Sequence, residues 1–462
     1  MRTVISTERT KMMWGAALLL LCLFAQAIGF ARSASITFDE GPHLAIGYAT
    51  LRTGDFRLQP IHIHPPLANE MAAAPLLLQT DLPDPRSIDG WEIASLSAVS
   101  DAIVWQYPHP RRMAFAARFP IIAMTLLLGA LVYRWATDLF GPPAGLMALF
   151  LLTFDPNIIA HGSLVTTDMA VVVWGTAALF LTGRYLRLAR RRYLGMAGLA
   201  LGAALASKVS AISLIPPIGL LCLIGPRRYS WRRRLAGVVM GGILAGITLW
   251  AVYGFEVGFW HSLPFPIPAI THLKIYQALR EHYQLGHPAF LLGQNGEHGW
   301  WYYFPVAFLL KTPLPTMILL GVAGIRAVRW GEDEWRSGET ICRWGPMTIY
   351  PLLYLISSLF SSVNIGYRHL LPLLPFAYIA ISQVVNWKWP PLGRLVLQTM
   401  LVWLLWGTVR LFPDYLAFFN ALAGGAEGGY RYLVDSNLDW GQNLWQLRDW
   451  MDEQHVERVY YA

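Results

Sequence analysis

The run MMWGAALLLLCLFAQAIGFA at residues 12–31, followed closely by Phe38-Asp39-Glu40-Gly41-Pro42-His43, decides how the chain is read. About 20 apolar residues are enough to cross the roughly 30 Å hydrocarbon core of a bilayer, and the apolar part of a secretory signal is shorter. Residues 12–31 therefore predict a retained first transmembrane helix, although Arg2, Arg9 and Lys11 precede it. Asp39 and Glu40 stand just past its far end, and His62-Ile63-His64-Pro65-Pro66-Leu67 follows in the same loop. Residues 36–75 thus gather two adjacent carboxylates and the imidazoles of His43, His62 and His64 at one membrane boundary.

The rest of the chain agrees with a membrane solvent. Of 462 residues, 55% are hydrophobic and 14% charged, against roughly 25% charged in soluble domains, and the mean hydropathy is +0.41. This predicts an all-α polytopic membrane protein. The net charge of +8 is no sign of nucleic-acid binding, because the arginines fall in short clusters between apolar runs, where they set topology. Cys22, Cys222 and Cys342 are scattered and define neither a disulfide framework nor a thiolate metal site.

After a long outer loop, 32–118, whose amphipathic stretch 91–107 predicts a helix along the bilayer surface, spans are expected at 119–135, 141–154 and 169–183. The apolar stretch 194–223, about 30 residues rising 1.5 Å each, is interrupted by Ser207-Lys208-Val209-Ser210 and predicts two short spans with Lys208 at their outer turn. Further spans are expected at 235–253, from Lys311-Thr312-Pro313 to 328, and at 347–360, 370–385 and 395–411. The second outer loop, 254–299, predicts an amphipathic helix at 270–283 and leads to an aromatic belt at 300–304. This arrangement puts Arg184, Arg187 and Arg190, then Arg227, Arg228 and Arg232, and the mixed-charge loop 329–343 all on one side. The positive-inside rule then gives about eleven spans, with the N-terminus cytoplasmic and the C-terminus outside. Residues 1–411 are the expected membrane domain. Residues 412–462 are expected to be a short extracytoplasmic αβ segment, with a helix at 445–453 and the start of a strand at 458–461, either incomplete or docked on the outer loops.

Under this topology Asp39, Glu40, Asp168, Lys208, Arg368 and His369 lie on one face, at the ends of different spans. An ionisable group at the bilayer centre costs about 2.5–3.5 kcal/mol on insertion scales, so such groups are candidates for function. The bland alternatives are a solvated loop with an acidic helix cap and cations that snorkel to lipid phosphates. The set suits a transferase with a lipid-phosphate leaving group, which needs cations at headgroup level and a carboxylate facing an acceptor hydroxyl. Lys208 and Arg368, with His369 beside them, would meet the phosphate, and Asp39 would act as base. His43 and His64 are acceptor-facing or structural candidates. His62 and His64 with Glu40 or Glu70 admit a divalent-metal reading, but an His-x-His pair before Pro-Pro is as compatible with hydrogen-bonded neutral imidazoles, and no metal ligand or other cofactor is assigned.

Six motifs in order carry a resemblance: Phe38-Asp39-Glu40; His64-Pro65-Pro66-Leu67; Asp155-Pro156-Asn157 through Asp168; Ser207-Lys208; Gly299-Trp300-Trp301-Tyr302-Tyr303-Phe304 with Lys311-Thr312-Pro313; and Tyr367-Arg368-His369-Leu370-Leu371-Pro372. Together they resemble the phospholipid-carrier-dependent glycosyltransferases of the glycosyltransferase C-type fold, which include protein O-mannosyltransferases and the aminoarabinose transferase acting on lipid A. The resemblance implies inverting transfer of a hexosyl or mannosyl-type sugar from a polyprenyl-phosphate donor to a protein, lipid or glycan acceptor. It places the reaction on the outer side of a bacterial inner membrane. It implies Asp39 as catalytic base, Glu40 as its partner, Asp168 as the second acid, and Lys208 and Arg368 near the donor phosphate. Asp435-Ser436-Asn437-Leu438-Asp439-Trp440-Gly441-Gln442 is similar to a segment of one bacterial branch, where a soluble portion continues beyond it. The absence of a Gly-rich phosphate loop agrees with a donor loaded by another enzyme. Two rival readings are a secondary transporter, for which no repeat and few mid-span charges are evident, and a non-catalytic membrane scaffold of related fold.

Overall fold

The computed structural model describes residues 2–225, 229–260, 263–334 and 338–460, so Arg227 and Arg228 lie outside the described residues. Every expected span is helical. Six helices are long and apolar enough to cross a bilayer alone: Thr10–Ser33, Pro110–Phe140, Thr167–Leu188, Trp231–Val252, Tyr367–Asn386 and Pro391–Arg410. A pair bent by 113° at Thr312-Pro313, Tyr303–Lys311 with Leu314–Ala327, makes up to seven. Length and composition thus give six or seven crossings among the described residues, where eleven are expected. The helices Pro142–Thr153, Arg191–Leu205 and Ile215–Ile224 have 12, 15 and 10 residues. At 1.5 Å per residue they rise only about 15–22 Å, less than the hydrocarbon thickness. Gly338–Ser358 is interrupted by Pro346 and Pro351.

The two ends of the bundle differ in charge. At one end Asp138 meets Arg134 at 3.1 Å, Arg184 at 3.5 Å and Arg187 at 4.0 Å, and Arg343 donates to the Leu139 carbonyl at 2.8 Å. Arginines therefore outnumber the one acid at this cluster. The turns carrying Asp39, Asp168, Lys208 and Arg368 meet one another elsewhere, described below.

The loop between the first and second long helices is built from short helices, Glu40–Thr53, Gln59–His62 and Leu67–Ala73. Within the stretch expected as one surface helix, only Leu96–Ser100 and the turn Asp101–Trp105 are helical; Trp91 is buried and Trp105 exposed. The amphipathic helix of the second loop is present as Ile270–Leu285, with Ile270 and Ile275 inward. Two small antiparallel ribbons flank it, Val257–Gly258 with Ile267–Pro268 and Ala289–Leu291 with Gln294–Gly296. The second turns through Leu292 and Gly293, both at positive φ, the conformation that suits a two-residue hairpin.

The segment after the last long helix is docked, not separate. Its expected helix is present as Leu444–Glu453. The expected strand is not: residues 456–460 are irregular, and Tyr461 is outside the described residues. Ser35 and Phe38 donate their backbone N–H groups to the Gln442 and Trp440 carbonyls at 2.7 and 3.0 Å, and Arg111 pairs with Asp449 at 2.6 Å.

Glu40 and Arg118 fasten the first outer loop to the bundle. The pair is fully buried, with Arg118 Nε and Nη2 on the two Glu40 oxygens at 2.8 and 2.6 Å. Glu40 also accepts from the backbone N–H of Val165 and from the N–H and hydroxyl of Thr37. This saturation corrects the expectation that Glu40 partners Asp39 in catalysis: its carboxylate has no free direction left for a substrate. Removing one member strands the other in low dielectric, which costs about 3–5 kcal/mol. Glu40→Ala is expected to lower the thermal unfolding temperature sharply in detergent, and an unchanged unfolding curve would refute the strut.

Candidate active site

The remaining acids and cations converge from four elements. Asp39 sits in the turn before Glu40–Thr53 and makes no capping bond to that helix, which leaves its carboxylate for Arg368. Asp168 occupies the first turn of Thr167–Leu188, where exposed backbone N–H groups favour an anion. Lys208 is the extended residue between Arg191–Leu205 and the 3-10 turn Val209–Leu214, the break that its charge predicts. Arg368 lies in the 3-10 turn Tyr367–Leu373 at the head of its span.

These four form one chain of charge. Lys208 Nζ contacts Asp168 at 2.5 Å. Arg368 Nη1 reaches Asp39 at 2.9 Å and the other Asp168 oxygen at 3.9 Å. Burial by itself would raise the Asp39 carboxyl, but the adjacent Arg368 guanidinium outweighs it and holds the acid below the usual carboxylate range. Asp39 is therefore ionised at neutral pH. The Arg368 Nε is buried and has no hydrogen-bond partner.

Asp168, Lys208, Arg368 and His369 line a cavity of about 430 Å³, together with His43, His62 and His64. The His369 ring stacks on Phe304 at 5.9 Å. The three loop histidines pack ring against ring, His43 to His62 at 4.4 Å, His43 to His64 at 5.4 Å and His62 to His64 at 5.3 Å. His43 Nδ1–H donates to the Asn69 side-chain carbonyl at 2.8 Å. That contact requires the helices Glu40–Thr53 and Leu67–Ala73 to touch, and Gly47 permits it: a Cβ there would lie 2.2 Å from the Asn69 carbonyl oxygen. His62 Nε2 and His64 Nδ1 are buried without partners. Burial pushes the His62 imidazole down to about 3 and the His43 and His64 imidazoles also below their ordinary value, so all three are neutral at pH 7.

The structure thus brings together every expected site residue except Glu40, and adds His62. The signal for His62 was present in His62-Ile63-His64; what the sequence left open was whether alternate residues face the same way. Ile63 at φ 61° turns the backbone so that both imidazoles do. The metal reading loses Glu40 to Arg118, and among the described residues no three His, Cys, Asp or Glu side chains form a group that could hold a metal ion. Two other motifs are structural. Asp155 caps the helix Pro156–His161 and accepts from the Tyr378 hydroxyl at 2.8 Å, while Asn157 donates to the Lys311 carbonyl at 2.8 Å.

Residues 112–253 match the family described as dolichyl-phosphate-mannose-protein mannosyltransferase. No curated protein matches the chain in sequence. Among solved structures, ArnT from Cupriavidus metallidurans bound to undecaprenyl phosphate overlays with a TM-score of 0.56 at 15% identity, covering 84% of this chain and 62% of that one. The same protein in the apo state gives 0.54 at 15% identity, with 85% and 62% covered. The chain therefore spans about 62% of the length of the ArnT structures it matches. With the motif order and the helical arrangement, these likenesses establish that the chain has the glycosyltransferase C-type fold.

Proposed function

We propose that the chain is an inverting glycosyltransferase, which moves a sugar from a polyprenyl-phosphate carrier to an acceptor hydroxyl on the outer face of a bacterial inner membrane. The observation that carries this reading is the meeting of two cations, Lys208 and Arg368, in the lining of one cavity. Cations that converge on a cavity favour an anionic ligand there, and arginine's planar fork suits phosphate oxygens. The undecaprenyl phosphate bound to ArnT supports a lipid phosphate as that anion, and the family matched by residues 112–253 supports a mannosyl-type sugar.

In this mechanism Asp39 takes the proton of the acceptor hydroxyl as its oxygen attacks the anomeric carbon. The bond from that carbon to the phosphate oxygen breaks, its electron pair stays on the phosphate, and the configuration inverts. Lys208 and Arg368 stabilise the departing charge. Arg368, while bridging to phosphate, shares its charge between two anions, so Asp39 becomes more basic when donor is bound. Asp168 holds Lys208 in place. The neutral imidazoles of His62 and His64 in the cavity lining offer a polar surface to the sugar.

The assay is release of polyprenyl phosphate by the purified protein in lipid, with polyprenyl-phosphate mannose and polyprenyl-phosphate glucose as donors, with and without EDTA. Asp39→Asn is expected to slow turnover by about 10²–10⁴-fold, the usual worth of a general base. Unchanged turnover would sink the assignment of Asp39, and loss of activity in EDTA would reveal a divalent ion. Lys208→Gln and Arg368→Gln are expected to weaken donor binding as well as turnover.

The histidines make a separate prediction. A group whose folded-state value lies below its unfolded value near 6.5 favours unfolding as the pH drops, because the unfolded chain binds the proton first. With His62 at about 3 in the folded protein, lowering the pH from 7.5 to 5 removes about 2 kcal/mol through this residue. Unfolding in detergent at the two pH values should show wild type losing more stability than His62→Gln; equal losses would contradict a buried neutral His62.

A further inference from the structure

The segment Asp435-Ser436-Asn437-Leu438-Asp439-Trp440 has no role in the chemistry above, yet it touches the cation-bearing turn at several points. Ser436 Oγ donates to the Ile365 carbonyl at 2.7 Å. Asn437 Oδ1 accepts from the Tyr367 backbone N–H at 2.8 Å, and its Nδ2 donates to the Tyr303 hydroxyl at 3.1 Å. Lys311, fully buried, donates to the Asn437 and Leu416 carbonyls at 2.6 and 2.8 Å. The Trp440 ring lies under the Arg368 guanidinium, 4.4 Å from ring centre to the guanidinium carbon. The Trp440 carbonyl accepts from Phe38 N–H, one residue before Asp39.

Resting on the donor-phosphate reading of Arg368, we infer that Trp440 and Asn437 are positioning residues for that arginine. An arginine side chain has several rotatable bonds, and two carboxylates on one side alone would draw its guanidinium onto them. The Trp440 face supplies a second, opposing surface that attracts a cation without competing for its N–H groups. With the ring beneath and Asn437 fixing the backbone of the preceding residue, Arg368 keeps Nη1 on Asp39 and its side chain in the cavity lining. The same segment, through Phe38, fixes the turn that carries the base. Base and leaving-group cation are thereby held by one piece of chain, which accounts for the close packing of Gly366 against Ser436: a Cβ on Gly366 would lie 2.3 Å from the Ser436 hydroxyl.

The test is equilibrium binding of undecaprenyl phosphate to the full chain in lipid nanodiscs, with Trp440→Phe and Trp440→Leu compared. Phenylalanine keeps an aromatic face; leucine keeps apolar packing without one. Positioning predicts that Trp440→Leu weakens binding at least tenfold and Trp440→Phe no more than threefold, although both fill the site with apolar atoms. A gap between them smaller than threefold overturns the inference. If Trp440→Leu does not fold, judged by its unfolding curve without lipid, Trp440→Met takes its place under the same criterion. Wild type and Arg368→Gln are run alongside: failure of wild type to bind, or equal binding by Arg368→Gln, overturns the donor-phosphate reading itself and is distinct from the result that refutes positioning.

Discussion

The five N–H groups of Arg118 set the geometry on which the candidate site depends. In a buried setting each must find an acceptor. Nε and Nη2 take the two oxygens of Glu40, Nη1 takes the carbonyls of Ala31 and Ala34, and the second Nη2 hydrogen takes the carbonyl of Ser35. Those three carbonyls belong to the end of the first helix and the residues just past it, where the chain would otherwise leave acceptors unsatisfied. One side chain from the second long helix therefore closes the first helix and fixes the turn after it, which carries Asp39 to its contact with Arg368. A pair of adjacent acids is split by which of them meets the Arg118 guanidinium: Glu40 becomes a strut and Asp39 is left for Arg368.

A second set of buried polar contacts does the same for the opposite wall. Asp155, Asn157, Lys311, Tyr378 and Asn437 are linked through side chains and carbonyls, and Thr312 and Tyr367 share a hydrogen bond at 2.9 Å between their hydroxyls. These groups come from motifs far apart in the chain, and none lines the 430 Å³ cavity. Their polarity serves to lock a bent helix pair, a 3-10 turn and the C-terminal segment into one register. Lysine and aspartate inside such a lock are as informative in sequence as catalytic residues are, which is why motif order alone overstates the number of chemical participants.

The cavity itself combines opposite demands. Lys208, Arg368, Asp39 and Asp168 neutralise one another in pairs, which permits their burial, while the Arg368 Nε stays unsatisfied. Three neutral histidines border the charges and contribute polarity without adding to the positive sum. The mixture is one of strong fixed charges at one point, uncharged hydrogen-bonding groups around it, and apolar helices beside both.

The sequence by itself determined the membrane class, the helical runs and the two breaks that matter most, the charged interruption at Lys208 and the Asp39 turn, because hydrophobic length and the cost of burying charge act locally. It also placed the cations and acids on one face, since each lies at an end of an apolar run. Two things were decided only by the tertiary structure. Which of Asp39 and Glu40 is available depends on Arg118, 78 residues away from Glu40. The last segment reads as the start of a soluble unit, yet its carbonyls and Trp440 find their partners on the first loop and on Arg368. Hydrogen-bond satisfaction in a buried setting is a property of the assembled helices, and no local pattern encodes which distant donor will supply it.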